Sequence, residues 1–242
     1  MTTVLHLLCA GAARAVAQAL IPSFDRDTGA RVDATYGAVG ALRERLAEGA
    51  ACDVLVLSAE LIDALRAEGF VASDSVAPLG RVPTSLAIRA GDPTPGVGTA
   101  GAVRAALLAA DAIYFPDPQR ATAGRHFAGV LERLGIARDV AERLRPFANG
   151  AAAMAELAKA AEAHPIGCTQ ATEILYTPGV TLVGALPGDL ALATVYTVAA
   201  AARSSAPVLA RRFAASLAGD STAQLRRAAG FDPVSWPNSG SE

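Results

Sequence analysis

Short apolar runs alternate with stretches of helical periodicity along most of this chain. Thr3 to Leu8 is mostly apolar and too short for a helix, which predicts a buried strand. From Ala12 to Phe24 the apolar residues Val16, Leu20, Ile21 and Phe24 recur at helical spacing, and Asp25, Asp27 and Gly29 close the element. The unit repeats: Arg31–Tyr36 alternates like a strand, and Gly37-Ala38-Val39-Gly40 opens a helix through Leu42 and Leu46. Asp53–Leu57 reads as a central strand of a parallel sheet, followed by a helix from Ala59 to Glu68 with Ser58 as its cap.

Pro78–Arg81 reads as a loop, Ser85–Arg89 as a strand, and Gly91–Gly96 as the most broken segment. A second α/β unit follows: a helix over Thr99–Ala109, the strand Ala112–Phe115, and a helix that starts at Thr122-Ala123-Gly124-Arg125 and runs to Leu134. A short helix is expected around Asp139–Leu144, and Asn149-Gly150 caps a helix over Ala151–Ala163. Pro165–Gln170 reads as a buried strand with Pro178–Val183 as its short neighbour. Leu192–Ala202 is then apolar enough to cross back to the first unit, before helices over Ala206–Leu217 and Ser221–Ala229. Alternating strands and helices predict an α/β fold with mostly parallel sheets, in two lobes: 1–81, 82–192, and a return to the first over 193–242.

At 242 residues the chain is long enough for a substantial core, and 52% hydrophobic against 18% charged residues excludes disorder. A net charge of −2 gives none of the basic field that gathers nucleic acid. Three separated cysteines, Cys9, Cys52 and Cys168, form no metal-ligand spacing and no disulfide framework, so no metal and no cofactor is expected. Met1-Thr2-Thr3 carries no basic n-region, and no run of about 18 apolar residues marks a membrane span. The expected location is the cytoplasm, or the periplasm if a leader has been removed.

Candidate chemistry gathers where strands turn into helices through small residues. Such turns leave the helix's first N–H groups bare at the positive end of its dipole, an arrangement that favours an anion. Four are present: Gly11-Ala12-Ala13-Arg14, Val39-Gly40, Thr122-Ala123-Gly124-Arg125 and Asn149-Gly150-Ala151. Arg14 and Arg125 fall in first helical turns, where a guanidinium is unfavourable unless it grips an anion such as a carboxylate, and Arg120 is a weaker candidate. His126 is the histidine nearest such a turn and a candidate acid or base. Glu173 and Asp117 are candidate bases that serve equally well as cap and turn residues. Cys168 sits in the late strand, where a buried thiol is ordinarily inert.

The order and spacing of several of these segments resemble the molybdate-binding proteins of ABC transporters, of the type 2 periplasmic-binding-protein fold. The carriers are Cys9–Ala13, Pro22–Phe24 through Thr28-Gly29, Tyr36–Leu42, Glu48–Val54, Asp117-Pro118 with Thr122–Arg125, and Ala171-Thr172-Glu173. The resemblance implies two lobes that close on an anion about hinges near Arg81–Ser85 and Leu192–Thr197. It also places Thr169 and Gln170 at the ligand, Gln170 standing where the family has a tyrosine. Two further departures matter: Ala12 and Val39 occupy positions where the family has serine hydroxyls.

The expectation is therefore a solute-binding protein for a small anion, an organic carboxylate rather than molybdate. Aconitate isomerases share the fold, so the alternative is a cofactor-free isomerase of an unsaturated di- or tricarboxylate. A third reading is a true molybdate or tungstate receptor, with an ABC permease as partner if the protein is exported.

Overall fold

The computed structural model describes residues 2–234. Three strand–helix units come first. β1 (Val4–Ala10) passes through a 3-10 turn, Gly11–Ala13, into α1 (Arg14–Thr28); β2 (Arg31–Gly37) leads to α2 (Val39–Ala47), and β3 (Val54–Ser58) to α3 (Ala59–Ala67). A 13-residue strand, β4 (Ala77–Arg89), follows, then α4 (Ala100–Ala109). Three more units succeed it: β5 (Ala112–Pro116) with α5 (Thr122–Arg133), β6 (Leu144–Phe147) with α6 (Gly150–Leu157), and β7 (Pro165–Gln170) with α7 (Ala171–Tyr176). The chain finishes with β8 (Val180–Ala185), β9 (Ala193–Ala200), α8 (Pro207–Ala218) and α9 (Ala223–Ala228).

The sheet order is β2-β1-β3-β9-β4-β7-β5-β6, with β8 added to β4. At each end the strands are parallel, as βαβ units require: β1 with β2 and β3 in the first half, β5 with β6 and β7 in the second. Every pairing of β4, and that of β3 with β9, is antiparallel. The fold is thus mixed α/β, its antiparallel pairing confined to the middle, where two strands run between the halves. Apolar side chains cluster accordingly. One cluster spans residues 5–82 with Ala171 and residues 196–231, and two others draw on residues 86–190. The last helices close the first cluster: Phe213 of α8 meets Phe24 of α1 edge-on, with ring centres 4.8 Å apart.

Asp53, 2% exposed, ties this half together at the base of β3. Its carboxylate accepts from the His6 N–H at 2.8 Å, the Ser204 hydroxyl at 2.6 Å and the Ser205 N–H at 3.0 Å, fastening β1 to the chain that leaves β9. A buried carboxylate is tolerable only when its lone pairs are filled in this way.

Several local expectations are corrected. Pro78–Arg81 is part of β4, because its backbone pairs with Thr197–Val195 of β9 across a bulge. Leu144–Phe147 is a strand, stabilised by its parallel register with β5 although it is largely solvent-facing. The Asp139–Leu144 segment holds only a 3-10 turn, Ala141–Arg143. α6 stops at Leu157, where tight turns from Lys159 and Ala160 back to Glu156 and Leu157 redirect the chain; alanine content extended that prediction too far. β8 pairs with β4, because β7 lies between β4 and β5. Ser58 stands at the N-cap of α3 without making the capping bond.

Gly124 in α5 lies directly against the carbonyl oxygens of Asp117 and Pro116, so a Cβ there would overlap backbone that cannot swing aside. Gly124→Ala improves helix propensity by about 1 kcal/mol but overpacks by about 1–3 kcal/mol. The overlap is with backbone and places the cost toward the upper end, so urea denaturation is expected to show a net loss of up to about 2 kcal/mol.

Candidate functional site

The carboxyl ends of β1, β2, β5 and β7 meet at a cleft between the two halves of the sheet, the customary ligand position in open α/β folds. Three helix starts that face it are capped by alanine: Ala10 before Gly11–Ala13 and α1, Ala38 before α2, and Ala121 before α5, none with a side-chain capping bond. Alanine is a poor N-cap, and each such end forgoes about 1 kcal/mol relative to Ser, Thr, Asp or Asn. Away from the cleft α4 has a proper cap, Thr99 accepting from the Ala102 N–H at 3.1 Å, while α3, α8 and α9 start without one. The cleft side of α6 has one too, Asn149 accepting from the Ala152 N–H at 2.9 Å. Three first turns without a side-chain cap therefore converge on the cleft.

The enclosed volume is about 20 Å³, room for roughly one water molecule. Of the sequence-predicted residues, Gly11, Ala12, Val39, Thr122, Ala123, Asn149 and Gln170 line it. Two polar atoms among them, Thr122 Oγ1 and Gln170 Oε1, are buried with no hydrogen-bond partner. Gln170 is 2% exposed, and its Nε2 donates to Thr194 Oγ1 of β9 at 3.3 Å.

Glu173 and Tyr196 also line the cleft. Glu173 is one of the two acidic candidates of the sequence, whereas Tyr196 belongs to the apolar crossing segment and is not among the site candidates. Glu173, 6% exposed, sits in the first turn of α7, and its carboxylate reaches across to the starts of the other helices. It accepts from the Thr169 hydroxyl at 2.6 Å and from the N–H groups of Ala151 and Gln170. The approach is close enough that a Cβ on Gly11 or Gly150 would collide with it, which explains glycine at both positions. Burial raises the Glu173 pKa above the ordinary carboxylate range, and the three donors offset this only in part. The signal was present in the sequence: Glu173 is the one charged residue in Pro165–Ile174, an otherwise uncharged stretch that is wholly buried.

The remaining candidates lie away from this point. Ala13 is packed in the core, and Thr169 acts on Glu173. Gly40 faces the opposite half, its N–H donating to the Arg120 carbonyl at 2.9 Å, and Gly124 packs beneath α5. The Arg125 side chain is exposed and donates to the Gln119 carbonyl at 3.0 Å. Arg120 pairs with Glu44 at 3.2 Å. Asp117 accepts the N–H groups of Gln119 and Arg120, which lower its pKa and make it a turn residue. His126 contacts the Leu190 carbonyl at 2.8 Å, and burial lowers its pKa. The Cys168 thiol is fully buried, and burial raises its pKa far from reactivity. Arg14 stacks between Tyr36 and Tyr176 beside the cleft. Among the described residues no group of His, Cys, Asp and Glu is placed to hold a metal ion, and no helix is long and apolar enough to cross a membrane.

Comparison with known proteins agrees with this architecture. The chain is 26% identical over 238 residues to an aconitate isomerase from a Pseudomonas species, covering 96% of this chain and 88% of that one. Among solved structures, the periplasmic molybdate-binding protein of Azotobacter vinelandii superposes with a TM-score of 0.78 at 20% identity, over 95% of this chain and 99% of its own. The sulfate-binding protein SubI of Mycobacterium tuberculosis gives 0.75 at 21% identity, over 96% and 88%. At such identities these structures establish the fold, a periplasmic-binding-protein architecture. A family model described as bacterial extracellular solute-binding protein matches residues 5–232, and the chain belongs to that family.

Proposed function

We propose that this protein isomerises a small unsaturated di- or tricarboxylate of the aconitate type by a cofactor-free allylic proton shift, with Glu173 moving the proton. The observation that carries the reading is the buried Glu173 carboxylate in a cleft otherwise lined with N–H groups and neutral side chains. In a simple anion receptor an ionised carboxylate at this point repels the ligand. In a proton-shifting enzyme, a carboxyl group with a raised pKa and little water around it is what general acid–base catalysis requires. The similarity to an aconitate isomerase supports the same conclusion.

In the proposed reaction the Glu173 carboxylate takes a proton from the CH₂ group next to the double bond. The C–H electron pair becomes the new double bond as the old one shifts its electrons to the far carbon. The Glu173 acid then returns the proton to that carbon, so no electrons are gained or lost. Negative charge that develops on the substrate's carboxylate oxygens meets first-turn N–H groups at Gly11–Ala13, Val39 and Thr122–Ala123, with the Thr122 hydroxyl and the Gln170 amide as further partners. Admission of a polycarboxylate requires the cleft to open, and we assign that motion to the division 1–81, 82–192 and 193–242, with hinges in β4 near Arg81–Ser85 and in β9 near Leu192–Thr197. On this reading the protein works in the cytoplasm. The structural neighbours favour a second reading, an exported carboxylate receptor that serves an ABC permease. Alanine and valine at Ala12 and Val39 argue against molybdate as ligand.

The test is proton NMR of cis- and trans-aconitate with the purified protein in heavy water. Interconversion is expected, with deuterium entering the allylic position to the extent that the Glu173 proton exchanges with solvent before its return, and Glu173→Gln is expected to lower turnover by about 10²–10⁴-fold while still binding the acid. Thermal stabilisation by carboxylates without interconversion would overturn the enzyme reading in favour of the receptor. Stabilisation by molybdate alone would overturn both.

A stability prediction follows from the same carboxyl. Glu173 binds its proton more tightly in the folded chain, so its contribution to stability is full below the ordinary glutamate pKa of about 4.3 and is lost as pH rises through the folded value. Glu173→Gln removes that loss. Its melting temperature should exceed that of the wild type near pH 7, with the gap narrowing as pH falls to 4.

A further inference from the structure

Beside the cleft a cation is held between two aromatic rings. The guanidinium carbon of Arg14 lies 5.2 Å from the centre of the Tyr36 ring and 5.3 Å from that of Tyr176. Both distances are within cation–π range, an arrangement that leaves the guanidinium N–H groups to other partners. Arg14 Nε and the Tyr36 hydroxyl are buried, and neither has a hydrogen-bond partner among the described residues. The Tyr176 hydroxyl, by contrast, is engaged with Gln18 Oε1 at 2.6 Å. Arg14 Nε can only donate. Burial raises the Tyr36 pKa, so this hydroxyl also remains a proton donor. Two adjacent unmade donors, one on a permanent cation, fit an anionic acceptor.

The position of the cluster identifies what such an acceptor belongs to. Arg14 is three residues beyond Gly11, Tyr36 immediately precedes Gly37, and Tyr176 is one helical turn beyond Glu173; Gly11, Gly37 and Glu173 all line the cleft. Tyr176, the outermost residue of the three, is 38% exposed, and the opening of the cleft that admits the substrate also exposes the donors beneath it. The residues that line the cleft include no Lys or Arg, yet a tricarboxylate brings three negative charges to it. We infer that Arg14 and Tyr36 form a second carboxylate subsite, which takes the carboxylate of the substrate farthest from the carbon that Glu173 deprotonates. The assignment rests on the isomerase reading for its substrate. It makes Arg14 and Tyr36 determinants of specificity for tricarboxylates over dicarboxylates.

The test compares aconitate with methylenesuccinate, which keeps the allylic CH₂ and two carboxylates but lacks the third, the one on the far carbon of the double bond. Dissociation constants by calorimetry and KM by NMR are measured for the wild type, Tyr36→Phe and Arg14→Lys. Tyr36→Phe is expected to weaken aconitate binding about tenfold or more and methylenesuccinate binding by less than about twofold. Arg14→Lys keeps the charge but loses the planar donor and should show the same selective loss. Equal losses for both acids, or none for either, while the wild type still binds aconitate would overturn the subsite. Binding of aconitate without turnover overturns the isomerase reading alone, since the ratio of dissociation constants still decides the subsite. Failure of the wild type to bind either acid overturns both.

Discussion

Helix starts that lack side-chain caps and converge on one point are the constraint on which the rest of this structure depends. The first N–H groups of a helix have no partner within it, and a buried donor left unpaired costs about 1–3 kcal/mol. Here three starts with alanine caps, those of the Gly11–Ala13 turn and of α2 and α5, open on the same cleft. The fold brings them together because each lies at the carboxyl end of a parallel strand, in one half of the sheet or the other. The Glu173 carboxylate enters the same space and takes the N–H of Ala151 at the start of α6. The cleft thus already contains one anionic side chain among its donors, and that gives it a chemistry beyond simple anion capture.

Closure of the cleft is held lightly. Across it, the Gly40 N–H donates to the Arg120 carbonyl at 2.9 Å, and the Arg120 side chain pairs with Glu44 at 3.2 Å. Both partners of that ion pair are about half exposed, so it is worth no more than about 1 kcal/mol. The long antiparallel contacts of β4 with β9 and β7, in contrast, are main-chain ladders inside the sheet. Weak contacts at the cleft mouth and strong ones along the crossing strands are the combination under which a cleft opens without loss of the fold.

Arg14 shows how position in a helix and position in space can part. Its place in the first turn of α1 pointed to an anion, and in the structure its guanidinium lies between the rings of Tyr36 and Tyr176 rather than along the cleft wall. Arg125 held the same sequence position in α5 and turned outward to the Gln119 carbonyl. Equivalent local signals led to different environments because β2 and α7 supply aromatic neighbours at one helix start, whereas the other faces solvent.

The amino-acid sequence by itself determined the alternation of strands and helices, the glycine-marked turns, the small-residue helix starts and the crossing segment near Leu192–Ala202. Each of these follows from periodicity and local backbone preference over a few residues. Only the tertiary structure decided that Pro78–Arg81 is strand, that β8 adds to β4, and that Glu173 rather than Asp117 or His126 faces the cleft. Strand pairing and burial depend on residues far away in the chain: Arg81 becomes strand because Val195 pairs with it. The Glu173 pKa is raised because elements separated by more than a hundred residues close around its carboxyl.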